Sequence, residues 1–153
     1  MDMTGMRQYG IARVFRYDGA LNELKENAMQ WTAWTTLVAL VVYFWMLANV
    51  GRARGKYQVK APATDGPLEF QSILRVQVNT VEQMIMFLPA LWMCAFYFSD
   101  RWAALGGAVW IIGRILFALA YYKDPAKRSL GFALTMLGTF GLMIATVVGL
   151  FTY

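Results

Sequence analysis

Arg75, Asn79 and Glu82 stand at i, i+4 and i+7 within the stretch "LRVQVNTVEQ". At 3.6 residues per turn their directions fall within about 60° of one another, so on a helix they form one polar stripe. Arg52 and Arg54 close the apolar run before this stripe, and Lys127 and Arg128 open the last one. A set of cations with one carboxylate among them suits an anionic ligand that also carries an amine. The apolar sequence on either side suits a lipophilic second substrate. A purely structural alternative, an ion-pair and hydrogen-bond cluster that fixes helix register, stays open on these residues alone.

The elements that must position the stripe are membrane spans. Of the 153 residues 59% are hydrophobic and only 15% charged, with a mean hydropathy of +0.44, far more apolar than an ordinary globular domain. The 25 residues from Asn27 to Gly51 carry no charge, and neither do the 25 from Ser129 to Tyr153. Each exceeds the roughly 20 residues that cross a hydrocarbon core of about 30 Å. Spans are expected over about 31–50, 70–98, 102–122 and 130–152, giving an all-α, four-helix membrane bundle over residues 31–153 after an N-terminal extension of residues 1–30. Pro62, Gly66 and Pro67 break the first connection, "SDR" makes a tight second one, and Pro125 ends the third span.

Counted back from Phe98 at about 1.5 Å per residue, Glu82 lies about 24 Å and Arg75 about 35 Å from the far membrane face. The stripe thus crosses the membrane boundary, with Glu82 just inside. Arg114, about 12 Å from the same end of the third span, snorkels toward that depth, and we expect it to partner Glu82, in the same subunit or across an interface. The seven Lys or Arg of loops one and three outnumber the five of the opposite side, which favours placing this end in the cytoplasm. The net charge of +5 is thereby accounted for by the flanks of spans, and no nucleic-acid partner is expected.

The chain has no histidine, which removes the commonest general base and most zinc chemistry, and no metal site is expected. Its single cysteine, Cys94, lies in an apolar run and reads as packing. Ile11, Val14, Phe15, Leu21 and Leu24 leave residues 6–30 open between a helix lying on the membrane surface and a partly ordered tail. Gly141, Ala145 and Gly149 fall at four-residue spacing, a stripe that lets a second helix approach closely.

From about Gln30 onward the sequence resembles the MAPEG family, the membrane-associated proteins in eicosanoid and glutathione metabolism. "GPLEFQSILRVQVNTVEQMIMFLPALW" is similar to the segment leading into the second helix of its leukotriene synthase and microsomal glutathione transferase branches, and "GRILFALAYYKDPAKRS" supplies a second match. The resemblance implies a homotrimer that holds glutathione, bent, between adjacent subunits near the cytosolic face. Arg75, Asn79 and Glu82 would then hold the peptide's carboxylates and amine, Gln77 would assist, and Tyr121 would line the pocket. Arg54 would reach in from the neighbouring subunit, and Arg128 would face the sulfur. The pattern departs at Gln83 and Phe117, where the leukotriene synthase branch has tyrosines. Each lost hydroxyl contact is worth on the order of 1 kcal/mol, which reshapes or weakens thiol-peptide binding without abolishing it.

What the resemblance implies for Arg128 agrees with charge. A thiol with a pKa near 8.5 is only about 3% ionised at pH 7, and lowering it by two units gives about 75%. One guanidinium in a poorly solvated site supplies the required ~2.7 kcal/mol. The expected function is a membrane glutathione transferase attacking small lipophilic electrophiles from the bilayer, with reduction of lipid hydroperoxides as a second activity. The alternatives are a glutathione-dependent isomerase of the prostaglandin E synthase kind, for which Arg128 and Ser129 speak, and a non-catalytic lipid-binding adaptor, against which Arg75 and Glu82 speak.

Overall fold

The structure, a computed structural model, describes residues 29–152. Four helices follow one another: α1 (Gln30–Tyr57), α2 (Leu68–Tyr97), α3 (Asp100–Lys123) and α4 (Ser129–Thr152), the last entered through one turn of 3-10 helix at Pro125–Arg128. All four are long and apolar enough to cross a membrane. The chain is an integral, multi-pass membrane protein. The expected surface helix over residues 6–30 lies, but for its last two residues, outside the described part.

The spans are where the apolar runs put them, yet α1 continues seven residues beyond the expected end at Val50. The charges at Arg52, Arg54 and Lys56 end the hydrocarbon-crossing run and not the helix, because Ala, Arg and Lys are good helix formers. The helix stops at Gln58, whose left-handed backbone (φ 55°) sends an amide back to the Arg54 carbonyl. Pro89 sits inside α2. Its missing amide is tolerated within a packed bundle.

Helices α2 and α3 form the middle of the bundle, with α1 packed along one side of the pair and α4 along the other. Phe87 and Trp110 stack face to face at 4.0 Å between the central helices. Ala39, Leu91, Cys94 and Leu142 close around them, so Cys94 is a buried packing residue. The outward surface is apolar, with Phe44, Val41, Ile85 and Ile144 all well exposed, as lipid contact requires. Threonines inside the bundle hide their hydroxyls by donating to the carbonyl four residues back, as Thr80, Thr135, Thr139 and Thr146 do.

Helices α3 and α4 make the closest approach. A Cβ on Gly131 would run into the Phe117 backbone, and one on Gly113 would lie 2.6 Å from the Thr135 amide nitrogen. The expected stripe of Gly141, Ala145 and Gly149 holds at two of its three positions: a Cβ on Gly149 would run into the Tyr97 backbone of α2 and Ala145 packs on the core, whereas Gly141 faces open space. The packing edge toward α3 runs through Gly131, Thr135, Gly138 and Leu142. Four-residue spacing finds a row of small residues without saying which of them a neighbouring helix meets.

Helix α1 has no cap of its own. Asp100, at the start of α3, accepts from the Trp31 amide at 3.0 Å and the Thr32 amide at 2.8 Å, one carboxylate oxygen for each. This carboxylate serves the first turns of two helices at once, each end being electropositive.

Candidate functional site

The C-terminus of α1, the N-terminus of α2, the C-terminus of α3 and the N-terminus of α4 meet at one end of the bundle, and the charged residues gather there. On α2 the helical spacing makes the predicted stripe. Arg75 reaches Glu82 at 3.8 Å, and Asn79 donates Nδ2 to Glu82 Oε2 at 3.2 Å. Both charged side chains are about half exposed, so their pairing adds under about 1 kcal/mol to stability. The row is therefore cheap to open for a ligand.

Behind it lies Arg114 of α3, fully buried. Its Nη1 donates to Asn79 Oδ1 at 3.1 Å and its Nη2 to Thr80 Oγ1 at 2.7 Å. The orientation of the Asn79 amide follows from electrostatics: the oxygen turns to the buried cation and the NH2 to the Glu82 carboxylate. Of the two placings expected for an Arg114 and Glu82 pair, the one within a single chain is not formed. Asn79 stands between them and couples them. Thr80, which the stripe argument passes over, is the second partner. The sequence holds only a faint signal for it, a hydroxyl beside the amide and turned toward the third span.

From Arg114 a line of contacts runs to α4. Its guanidinium lies over the Phe117 ring at 4.2 Å, Phe117 meets Tyr121 at 5.3 Å between ring centroids, and the Arg128 guanidinium lies 5.8 Å from the Tyr121 ring. Phe117 is buried, so it props up the cation and stands back from the surface. Arg128 is exposed at the entrance to α4 and gives one nitrogen to the Pro125 carbonyl at 2.7 Å.

Arg75 and Tyr121 share a groove of about 500 Å³ with Asp65, Leu68, Ser72 and Val78. Arg128 and Ser129 line a separate hollow of about 420 Å³ with Ala126 and Phe132. Both are open depressions on the outside of the bundle. Of the residues named from sequence, Arg75, Tyr121 and Arg128 line these hollows and Asn79, Glu82 and Phe117 do not, and three more stand apart from the row itself. Gln77 points to α1, donating to the Tyr43 hydroxyl at 2.7 Å, because it lies about 200° around α2 from Arg75. Gln83 is buried, its side-chain oxygen bonded to no protein group. Arg54 holds its own loop, donating to the Ala63 carbonyl at 2.9 Å with its guanidinium 5.4 Å above the Phe70 ring.

Fold and site together define a four-helix membrane protein with a row of polar and charged residues, Arg75, Asn79 and Glu82, at one end of the bundle. Residues 32–148 match the sequence model of the MAPEG family, and the chain belongs to that family. It is 43% identical over 127 residues to an uncharacterised protein of Synechocystis sp., covering 83% of this chain and 93% of that one. It is 40% identical over 102 residues to human microsomal glutathione S-transferase 2, covering 61% of this chain and 69% of that one. Against guinea-pig leukotriene C4 synthase it is 34% identical over 96 residues, covering 63% of this chain and 64% of the synthase, a little under two thirds of its length.

Proposed function

We propose that this protein is a membrane-bound glutathione transferase, which ionises the thiol of glutathione and directs it at small lipophilic electrophiles arriving from the bilayer. The observation that carries this reading is the Arg75, Asn79 and Glu82 row, oriented from behind by a buried Arg114, in a MAPEG chain. Glutathione bears two carboxylates, an amine and a thiol. Arg75 offers charge-assisted hydrogen bonds to a carboxylate, and Glu82 accepts the amine while Asn79 keeps that carboxylate in place. Arg128 has guanidinium nitrogens to spare and sits at the start of α4, so thiolate is favoured by its charge and by the helix end together. The thiolate sulfur then forms a bond to the electrophilic carbon as the leaving group departs with the bonding electrons, and the thiol proton passes to solvent.

The open grooves support a site completed by a neighbouring subunit, and we assign a homotrimer on that basis and on the family resemblance. Arg54, which turns away from the row within its own chain, is the residue assigned to reach a neighbour's. The glutathione face is assigned to the cytoplasm from the excess of basic residues in loops one and three. Reduction of lipid hydroperoxides by the same thiolate is a further activity of this site.

Titrating the purified protein with glutathione while following thiolate absorbance, then adding a chloronitrobenzene, tests the reading. Thiolate formation at pH 7 and chloride release above the uncatalysed rate are expected. Absence of both overturns it in favour of a lipid-binding adaptor. The shared hollow of Arg128 and Ser129 favours one second reading, a glutathione-dependent isomerase. Conversion of a lipid endoperoxide with no net consumption of glutathione distinguishes it.

A further inference from the structure

On the same end of the bundle, but on another side of it, α1, α2 and α3 enclose a second groove of about 420 Å³. Arg52 and Lys56 lie one turn apart on its α1 wall, and Trp45, Tyr57 and Tyr122 supply aromatic faces. It is distinct from the glutathione row. None of Arg75, Asn79, Glu82, Tyr121 or Arg128 lines it, and Arg52 lies about 200° around α1 from Arg54.

No acidic side chain lines this groove. Arg52 donates to the neutral Asn49 amide oxygen at 2.8 Å, Lys56 rests 5.0 Å from the Tyr57 ring, and neither is in an ion pair among the described residues. Two exposed cations thus face a hollow with their charge uncompensated. The lining is also graded along the membrane normal. Trp45 lies seven residues before Arg52, about 10 Å deeper into the hydrocarbon, and its ring packs at 6.1 Å from that of Tyr122. A cationic mouth at headgroup depth above an aromatic, apolar floor matches an amphiphile with an anionic head.

We infer that this groove seats an anionic phospholipid, its phosphate between Arg52 and Lys56 and the start of an acyl chain against Trp45 and Tyr122. An inorganic phosphate would use only the mouth, and a zwitterionic lipid would bring its own cation to two others. A basic pocket between spans at the membrane surface is a recurring way of retaining an acidic lipid. The site is independent of the reading of the glutathione row.

The test is native mass spectrometry of the full-length protein released from nanodiscs containing equal parts of phosphatidylglycerol and phosphatidylcholine, paired with thermal denaturation after adding each lipid to protein in a neutral detergent. Phosphatidylglycerol is expected to be retained preferentially and to raise Tm more than phosphatidylcholine. Each of Arg52→Gln and Lys56→Gln should reduce that preference about fivefold, the effect of removing one interfacial charge. Arg101→Gln, at the opposite membrane face, should leave it unchanged. Equal retention of the two lipids overturns the proposal, as does a preference that survives the double substitution. A rise in Tm with inorganic phosphate alone, equal to that with phosphatidylglycerol at the same concentration, also overturns it in favour of a simple anion site. Neither substitution touches the Arg75, Asn79 and Glu82 row, so failure here leaves the transferase reading standing.

Discussion

At the level of single residues, the proposed site divides into groups assigned to recognition and groups that hold those in place. Glu82 is half exposed and its ion pair is weak, so Glu82→Gln should shift Tm little, by under about 1 kcal/mol in stability. Its glutathione affinity should nevertheless fall by about tenfold or more, since a charge-assisted contact is worth ~1.5–3 kcal/mol. Isothermal calorimetry beside a melting curve separates the two effects. Arg114 behaves in the opposite way. Arg114→Ala strips Asn79 and Thr80 of their buried partner and should cost about 2 kcal/mol, visible as a lowered Tm and folded yield in detergent, with affinity lost as a secondary effect. Arg128→Ala should leave stability and glutathione binding nearly intact while thiolate absorbance and turnover at pH 7 fall together by at least tenfold. Equal loss of binding would remove its role at the sulfur. The stripe was legible from sequence because one helix's periodicity contains it. The partner of Arg114 was not, because depth fixes how far along a neighbouring helix a side chain sits without fixing which of several groups at that depth it meets.

The helices carry the same lesson in their packing. The first and last spans follow from charge-free stretches and the middle two from apolar runs with few charges between tight or proline-marked connections, since exclusion of charge from lipid leaves few other solutions. The end of α1 does not follow, because a helix outlasts its apolar run when the next residues are good helix formers. Nor does the whole packing face of α4, where Gly149 of the expected row meets α2 but Gly141 does not, and Gly131 and Gly138 meet α3. Gly131→Ala should cost about 1–3 kcal/mol by forcing α4 off the Phe117 backbone, and the shift should reach the site through Phe117, the ring under Arg114. Gly141→Ala, made into open space, should be neutral or slightly stabilising. Melting curves of the two proteins side by side, with glutathione affinity as a second readout, check the assignment of the packing edge.

Taken as a whole molecule, the chain leaves Arg75 and Glu82 about half exposed on its outer surface. In the proposed trimer a neighbouring subunit would cover them. Mixing active subunits with Glu82→Gln subunits that differ in mass would show whether glutathione capacity follows the number of unaltered rows in each assembly. One further consequence attaches to Asp100, which caps α1 from the start of α3. During synthesis the first span enters the bilayer with the Trp31 and Thr32 amides unsatisfied, and the carboxylate that satisfies them is made only after α2 has been threaded back across. The contact therefore requires the start of α1 and the start of α3 to lie at the same membrane face, and a chain whose α2 and α3 hairpin is inverted would leave Asp100 on the wrong side of the membrane, out of reach of both amides.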